Sequence, residues 1–335
     1  MSESWTLDTP TSPIESAGTL KECPYVYTST CFARGRHGNI HRARRKNIPA
    51  NAPGNNLAVK VIYKTSLLDY VELPAEERAK MTKEEQEEWD AEYLDMMQKW
   101  LHPLFKETYV HKRLNDHPHV LKYVDHFWTS TKLHIVTELA MGSDLQIRLN
   151  KRILAQRGGY SEAELIPMFR ILCDTLAYIH SRNCVHRDIK PSNILFRTQG
   201  NEELVIGDFG FSAMLEEHRP NLTTTNVGTA RFMAPEQARK MPHGSPVDMW
   251  ALGVNCYYFL TTQHPIRPSA SSIEDETEPY IIDQEGIEAI NWAGVSFLAK
   301  SFIRGLLVMD PTLRMTAEQA RKHLWLGDIK ICPEP

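Results

Sequence analysis

The sequence predicts an α+β protein built as two lobes, because strand signals fill its first third and helical ones the remainder. In the first third, short β-branched runs stand between clusters of turn-forming residues. Beyond Leu145, apolar residues recur at helical spacing over long stretches. The 335 residues are enough for two domains, or one two-lobed unit with an ample core, and no internal repeat divides them.

In chain order, residues 1–24 are rich in Ser, Thr and Pro without periodicity and predict a disordered arm. Strands are expected at 40–43 and 57–62, separated by an Asn/Pro/Gly loop at 47–56. An acidic stretch at about 66–101 reads as an inserted helix: Thr82-Lys-Glu-Glu85 fits a capping box, and Trp89, Tyr93, Met96, Met97 and Trp100 recur at helical spacing. Pro103 ends it, and a second helical pattern runs to about Asn115. Further strands are expected at 120–127 and 133–139, around a polar turn at 129–132. Helices follow at 161–182, 246–263, 294–308 and 316–325. The expected lobes are about 25–138 and 139–326, with a short tail at 327–335.

Composition excludes several classes. Lys and Arg total 38 against 42 Asp and Glu, so a net charge of −4 calls for no nucleic-acid or anionic-membrane partner. The six cysteines are scattered without CxxC or zinc spacing and read as reduced thiols. The 14 histidines include no HExxH, which argues against a metalloenzyme with protein-held zinc. The N-terminus lacks the basic and apolar regions of a signal peptide. The longest apolar run, 251–260, is broken by Asn255 and too short to span a bilayer, so no membrane insertion is expected. These features predict a cytoplasmic protein, with the nucleus as an alternative on the basic run 42–46.

The chemistry concentrates in three ordered motifs. His186-Arg187-Asp188 leads to Lys190 and Asn193; Asp208-Phe209-Gly210 follows a short strand signal; Ala234-Pro235-Glu236 comes last. In this order and spacing they resemble the catalytic loop, the metal-binding DFG and the APE of protein kinases, and the resemblance covers about residues 25–326. It implies a two-lobed kinase fold, with a small antiparallel sheet lobe carrying one helix and a large, mainly helical lobe. It further implies phosphoryl transfer from ATP with Mg²⁺, a reaction that asks for positioning and charge neutralisation more than covalent work.

Residue by residue, the resemblance makes Asp188 the acceptor of the substrate hydroxyl proton and Lys190 the ammonium beside the transferring phosphoryl group. Asn193 and Asp208 offer the hard oxygens that suit Mg²⁺. Lys60, in Leu57-Ala-Val-Lys60, resembles the lysine that holds the α/β-phosphates. Its helix partner would be Glu107, seven residues before Leu114, with Glu92 and Asp95 as alternatives in the insertion. Ala33, Gly35, Gly38 and Ile40 match the glycine loop, where backbone N–H groups approach phosphate; Ala33 departs from the family's first glycine. Thr137 would be the gatekeeper, Glu138 and Ala140 would meet the adenine edge through their backbone, and Ala58 and Leu195 would sandwich the ring. Asp144 stands where an acidic residue commonly meets the ribose.

Lys190 with Thr229 follows the serine/threonine pattern, and Asp248 and an Arg314–Glu236 pair resemble the family's structural ties. Arg187 would pair with a phosphate in the activation loop, best placed on Thr225. The segments from Trp292 to Trp325 are similar to the calcium/calmodulin-dependent kinase group, and the insertion with Lys190-Pro-Ser-Asn193 to its kinase-kinase branch. Two departures stand against the branch: an acidic insertion, and too few residues after Trp325 for an autoinhibitory helix that calmodulin would bind. Protein substrates are expected, other kinases among them. The rivals are a scaffold that keeps the fold without catalysis and a small-molecule kinase.

Overall fold

A computed structural model describes residues 5–6, 24–35, 38–49, 52–63, 80–83, 85–86, 107–128, 132–200, 203–215, 227–265, 287–288 and 290–327. The chain forms two compact units: Met1–Asn115 with Leu121–Leu139, and Asp116–Val120 with Ala140–Pro335.

The first unit is built on an antiparallel sheet. Its strands are β1 (Trp5–Thr6), β2 (Tyr25–Thr28), β3 (Ala33–Gly35), β4 (Gly38–Arg45), β5 (Leu57–Tyr63), β6 (Tyr123–Trp128) and β7 (Lys132–Glu138). The order is β1-β2-β4-β5-β7-β6, with β3 folded back on β4. Within the arm expected to be disordered, Trp5 and Thr6 pair with Thr28 and Tyr27; the rest of 1–23 lies outside the described residues. Period-two alternation sends Leu57, Val59 and Val61 into a buried cluster with Tyr25, Tyr27, Phe127 and Val136. Ala58, Lys60 and Ile62 therefore point to the opposite face.

Of the acidic insertion, residues 80–83 and 85–86 are among those described. There Glu85 Oε2 accepts from the Thr82 backbone N–H at 2.8 Å, and Glu85 N–H donates to Thr82 Oγ at 3.3 Å, the reciprocal capping box. A helical segment at 107–113 carries Glu107. The expectation of a strand from 120 is corrected: β6 starts at Tyr123, and Val120 bridges instead to Ile206 of the second unit. His119 joins it there, its Nδ1 lying 2.8 Å from the Leu204 carbonyl oxygen.

The second unit is mainly helical: α1 (Leu145–Leu154), α2 (Glu162–Ser181), α3 (Pro235–Ala238), α4 (Pro246–Thr261), α5 (Phe297–Leu306) and α6 (Ala317–Ala320). Polar caps fix the starts of α1, α2, α5 and α6, through Asp144, a Ser161–Glu164 capping box, Ser296, and a Thr316–Gln319 box. Phe169 of the buried α2 meets Phe259, Phe302 and Trp325 at ring distances of 6.4, 6.2 and 5.8 Å. The helix expected over 316–325 stops at Ala320 and gives way to a tight turn at Leu324–Leu326. That break lets the Trp325 indole N–H donate to Glu162 at 2.9 Å. Among the described residues, no helix is long and apolar enough to cross a membrane.

Candidate active site

In the first unit the sheet register gathers the expected nucleotide-binding residues. Ile40 stands opposite Lys60, which stands opposite Ile135; Ala58 stands opposite Thr137; Ala33 stands opposite Ile40. Residues directly opposite share a face in antiparallel pairs, so Ala33, Ile40, Ala58, Lys60 and Thr137 line one side of the sheet. Lys60 Nζ donates to Glu107 Oε1 at 2.9 Å, and both side chains are nearly buried. Glu92 and Asp95 lie outside the described residues. Glu138 is on the other face, and its carboxylate accepts from the Lys122 N–H at 2.8 Å.

Gly35 pairs with Gly38 across the β3–β4 turn. A Cβ at Gly38 would stand 2.3 Å from the Val61 carbonyl oxygen, so glycine is required there by β5 itself, before any phosphate is considered. Ala33 sits in a regular strand, where its methyl is tolerated.

The second unit assembles a polar ring around Asp188, which is 3% exposed. Thr229 Oγ donates to Asp188 Oδ1 at 2.8 Å, and Lys190 Nζ lies 2.7 Å from Asp188 Oδ2 and 2.7 Å from Thr229 Oγ. Asn193 Nδ2 donates to the Asp188 carbonyl at 2.8 Å and to its Oδ2 at 3.0 Å. Both carboxylate oxygens are thus held by donors.

Beyond β8 (Cys184–Val185), strands β9 (Ile194–Phe196) and β10 (Leu204–Ile206) bring Asn193 beside the DFG. Ile194 pairs with Ile206, and the Gly207 N–H donates to the Asn193 carbonyl at 2.9 Å, one residue before Asp208. Because Asn193 spends its N–H groups on Asp188, its amide oxygen is the group left to ligate, next to a carboxylate. Two hard oxygens fit a magnesium ion shared with phosphate, which needs few protein donors. No larger cluster of His, Cys, Asp and Glu suited to a metal occurs among the described residues.

Asp248, fully buried, fixes the loop that carries these groups. Its Oδ2 accepts from the His186 N–H at 2.9 Å, its Oδ1 from the Arg187 N–H at 2.7 Å, and His180 Nε2 lies 2.9 Å from Oδ2. These bonds hold Arg187 at a φ of 67°, and a Cβ on Gly228 would stand 2.7 Å from the Arg187 carbonyl oxygen. Gln237 Nε2 donates to that same oxygen at 3.2 Å. Burial pushes the Arg187 guanidinium down to about 10, against Asp248, so it stays charged at neutral pH. Arg314 grips Glu236 with two bonds of 2.7 and 3.0 Å.

Asp144 is placed as the cap of α1, its Oδ1 accepting from the Ile147 N–H at 2.8 Å. Leu195 is half-buried on β9, and Ala140 follows the sheet unit directly. Thr225 lies outside the described residues. Sequence reading passed over Asn255, His180 and Gln237. Asn255 registered only as a break in an apolar run, yet it is fully buried and donates to the Ile189 carbonyl at 3.1 Å, bracing the catalytic loop from α4.

Burial pushes the Asp248 carboxyl up, but the bond and charge of His180, with His186, outweigh it and hold the group below its ordinary value of 3.8. The folded value is therefore below the unfolded one. Its stabilisation is present above the ordinary carboxylate range and lost as pH falls through the folded value. Urea unfolding should show Asp248→Ala less stable by about 3–5 kcal/mol at neutral pH, since two N–H groups and His180 lose a buried acceptor. Asp248→Asn should show a shallower acid-side loss than wild type.

A sheet unit bearing a lysine–glutamate pair, and a helical unit bearing an aspartate held by lysine, asparagine and threonine, define a protein kinase. The protein kinase domain family matches residues 79–326, and the chain belongs to that family. Calcium/calmodulin-dependent protein kinase type I of Schizosaccharomyces pombe is 36% identical over 236 residues, 70% of this chain and 68% of the relative. Calcium/calmodulin-dependent protein kinase cmkB of Emericella nidulans is 36% identical over 220 residues, 63% of this chain and 51% of the relative. Aurora/IPL1-related protein kinase 2 of Caenorhabditis elegans is 36% identical over 231 residues, 67% and 68% of the two chains. The chain thus spans about half to two thirds of the length of these relatives, and it is related to the serine/threonine kinases of the calcium/calmodulin-dependent group.

Proposed function

We propose that this chain transfers the γ-phosphoryl group of ATP, with Mg²⁺, to serine or threonine hydroxyls of protein substrates. The observation that carries this reading is the ring formed by Asp188, Lys190 and Thr229. A carboxylate fixed by these donors is positioned as an acceptor for the proton of an incoming hydroxyl. As that oxygen forms its bond to the γ-phosphorus, the bond to the β-phosphate oxygen breaks and ADP leaves. Lys190 supplies positive charge beside the transferring group, and Lys60, oriented by Glu107, supplies it to the nucleotide phosphates. Asn193 and Asp208 are the residues that would hold Mg²⁺, whose charge offsets that of the phosphates when bound. Lys60, Asp188 and Asp208, whose loss would mark a scaffold, are all present. Three peptides differing only in a Ser, Thr or Tyr acceptor test the reading. Transfer to the first two and not to the third is expected; preference for tyrosine would refute it.

Regulation is read from Arg187. Its buried guanidinium donates through Nε to the Phe211 carbonyl at 2.6 Å, just after the DFG. A phosphate on Thr225 would add charge-assisted bonds to this cation and order the segment. Thr225→Ala should markedly lower the activity of protein isolated from its native cell. Full activity with no phosphate on residues 223–225 by mass spectrometry would contradict this.

Substrate choice is read from Ser192, an exposed hydroxyl where basophilic kinases that this loop resembles often carry glutamate. A hydroxyl cannot replace a carboxylate in a bidentate guanidinium pair. Little dependence on arginine near the acceptor is therefore expected. A preference above about tenfold in kcat/KM for arginine over alanine two residues before the acceptor would overturn it, since one charged pair is worth about 1.5–3 kcal/mol.

A further inference from the structure

The loop that carries Asp188 is pinned through its carbonyls as well as its N–H groups. Side-chain amides take three carbonyls in succession. Gln237 Nε2 donates to that of Arg187 at 3.2 Å, Asn193 Nδ2 to that of Asp188 at 2.8 Å, and Asn255 Nδ2 to that of Ile189 at 3.1 Å. Of these three amides, only Gln237 ties the loop to the segment that carries Thr229: its Nε2 also donates to the Val227 carbonyl at 2.6 Å. A primary amide has two N–H groups, and here each has a carbonyl of its own. Two carbonyl partners also fix which end of the amide faces them, since its oxygen cannot donate.

The side chain starts from a fixed place. Gln237 is 2% exposed in α3, and its neighbour Glu236 is gripped by Arg314. Gly228 lets the two segments close on the amide. A Cβ there would stand 2.7 Å from the Arg187 carbonyl oxygen and 3.1 Å from Gln237 Nε2, at a φ of 120°. The space left over, a cavity of about 10 Å³ lined by Arg187, Asp188, Thr229 and Gln237 among others, is too small for another side chain to enter and replace the bonds. Both bonds end beside the groups of the polar ring. Arg187 directly precedes Asp188, and Val227 lies two residues before Thr229, whose Oγ donates to Asp188 Oδ1 at 2.8 Å and accepts from Lys190 Nζ.

We infer that Gln237 is a positioning residue for the transfer reaction: it holds the segment bearing Thr229 against the loop bearing Asp188, so that the carboxylate meets the acceptor hydroxyl in one orientation. Gln237 touches no reacting atom and acts through Thr229. The inference rests on the reading of the chain as a protein kinase. Turnover depends steeply on such placement, since a displacement of about 1 Å costs about 10²-fold.

Gln237→Met keeps the length and volume of the side chain and removes both donors. Its kcat on an acceptor peptide should fall by about 10- to 10²-fold, while its nucleotide Kd stays at the wild-type value. A merely structural role would add its cost to that of any other substitution, so a double-variant cycle with Thr229→Ala separates the two roles. The double variant should turn over within about threefold of Thr229→Ala alone, because the contact through which Gln237 acts is already gone. Effects that multiply overturn the proposal, as does an unchanged kcat in Gln237→Met. Should the methionine variant not fold, Gln237→Glu has the same length and sets a carboxylate against two carbonyl oxygens; it should lose turnover likewise, with the same cycle deciding. Hydrogen exchange read by mass spectrometry follows the tie without activity. In the Gln237 variant, exchange should rise over 187–190 and 227–229 and keep its wild-type rate in α2. Unchanged exchange in those two segments overturns the proposal. If wild type transfers no phosphate, the kinase reading fails, while the exchange result still decides Gln237.

Discussion

Asp188→Asn should lower kcat by about 10²- to 10⁴-fold, the usual contribution of a positioned general base, while nucleotide affinity stays near that of wild type. The substitution keeps the size of a side chain gripped by Thr229, Lys190 and Asn193, so the ring can persist around it. What it removes is the negative charge and the basicity. The split between a collapsed kcat and an unchanged nucleotide Kd therefore separates a proton-accepting role from a structural one. Thr229→Ala, which removes one bond to Asp188 and leaves its charge, should cost less.

The second large effect is expected at Asp208. Its replacement should abolish the gain in nucleotide affinity that Mg²⁺ confers and depress turnover by about 10²- to 10³-fold, since charge neutralisation by a metal is worth several kcal/mol. The choice of variant matters. Asp208 has a φ of 58°, in the left-handed region, where alanine costs about 1–2 kcal/mol and asparagine is better tolerated. Asp208→Asn is thus the cleaner substitution. Titration of nucleotide with and without Mg²⁺ reads the effect, and a metal-dependent gain that survives Asp208→Asn would remove Asp208 from the metal site.

The lobes and the catalytic loop were legible because their signals are local. Alternating apolar residues mark β5, ordered motifs mark the loop and the DFG, and Thr82 and Glu85 mark a capping box three residues apart. The structure adds what depends on distant pairing. Val120 looked like the start of a strand because it is apolar and β-branched, but its partner is Ile206, far along the chain within the same second unit. The helix at Leu145–Leu154 was not anticipated, although Asp144, read only as a ribose contact, also caps it. Gly38 was read for phosphate, whereas the Val61 carbonyl already requires it. The tie from Asn255 to Ile189 spans 66 positions, and no local pattern announces it.

On the function proposed, Asp188 serves phosphoryl transfer from ATP to a serine or threonine hydroxyl. The most direct test supplies γ-labelled ATP and Mg²⁺ to purified wild type and Asp188→Asn, with a degenerate serine/threonine peptide pool as acceptor. Label should appear on serine and threonine with wild type, vanish when Mg²⁺ is chelated, and fall to background with Asp188→Asn although that variant still binds nucleotide. Equal transfer by the two proteins would contradict the account.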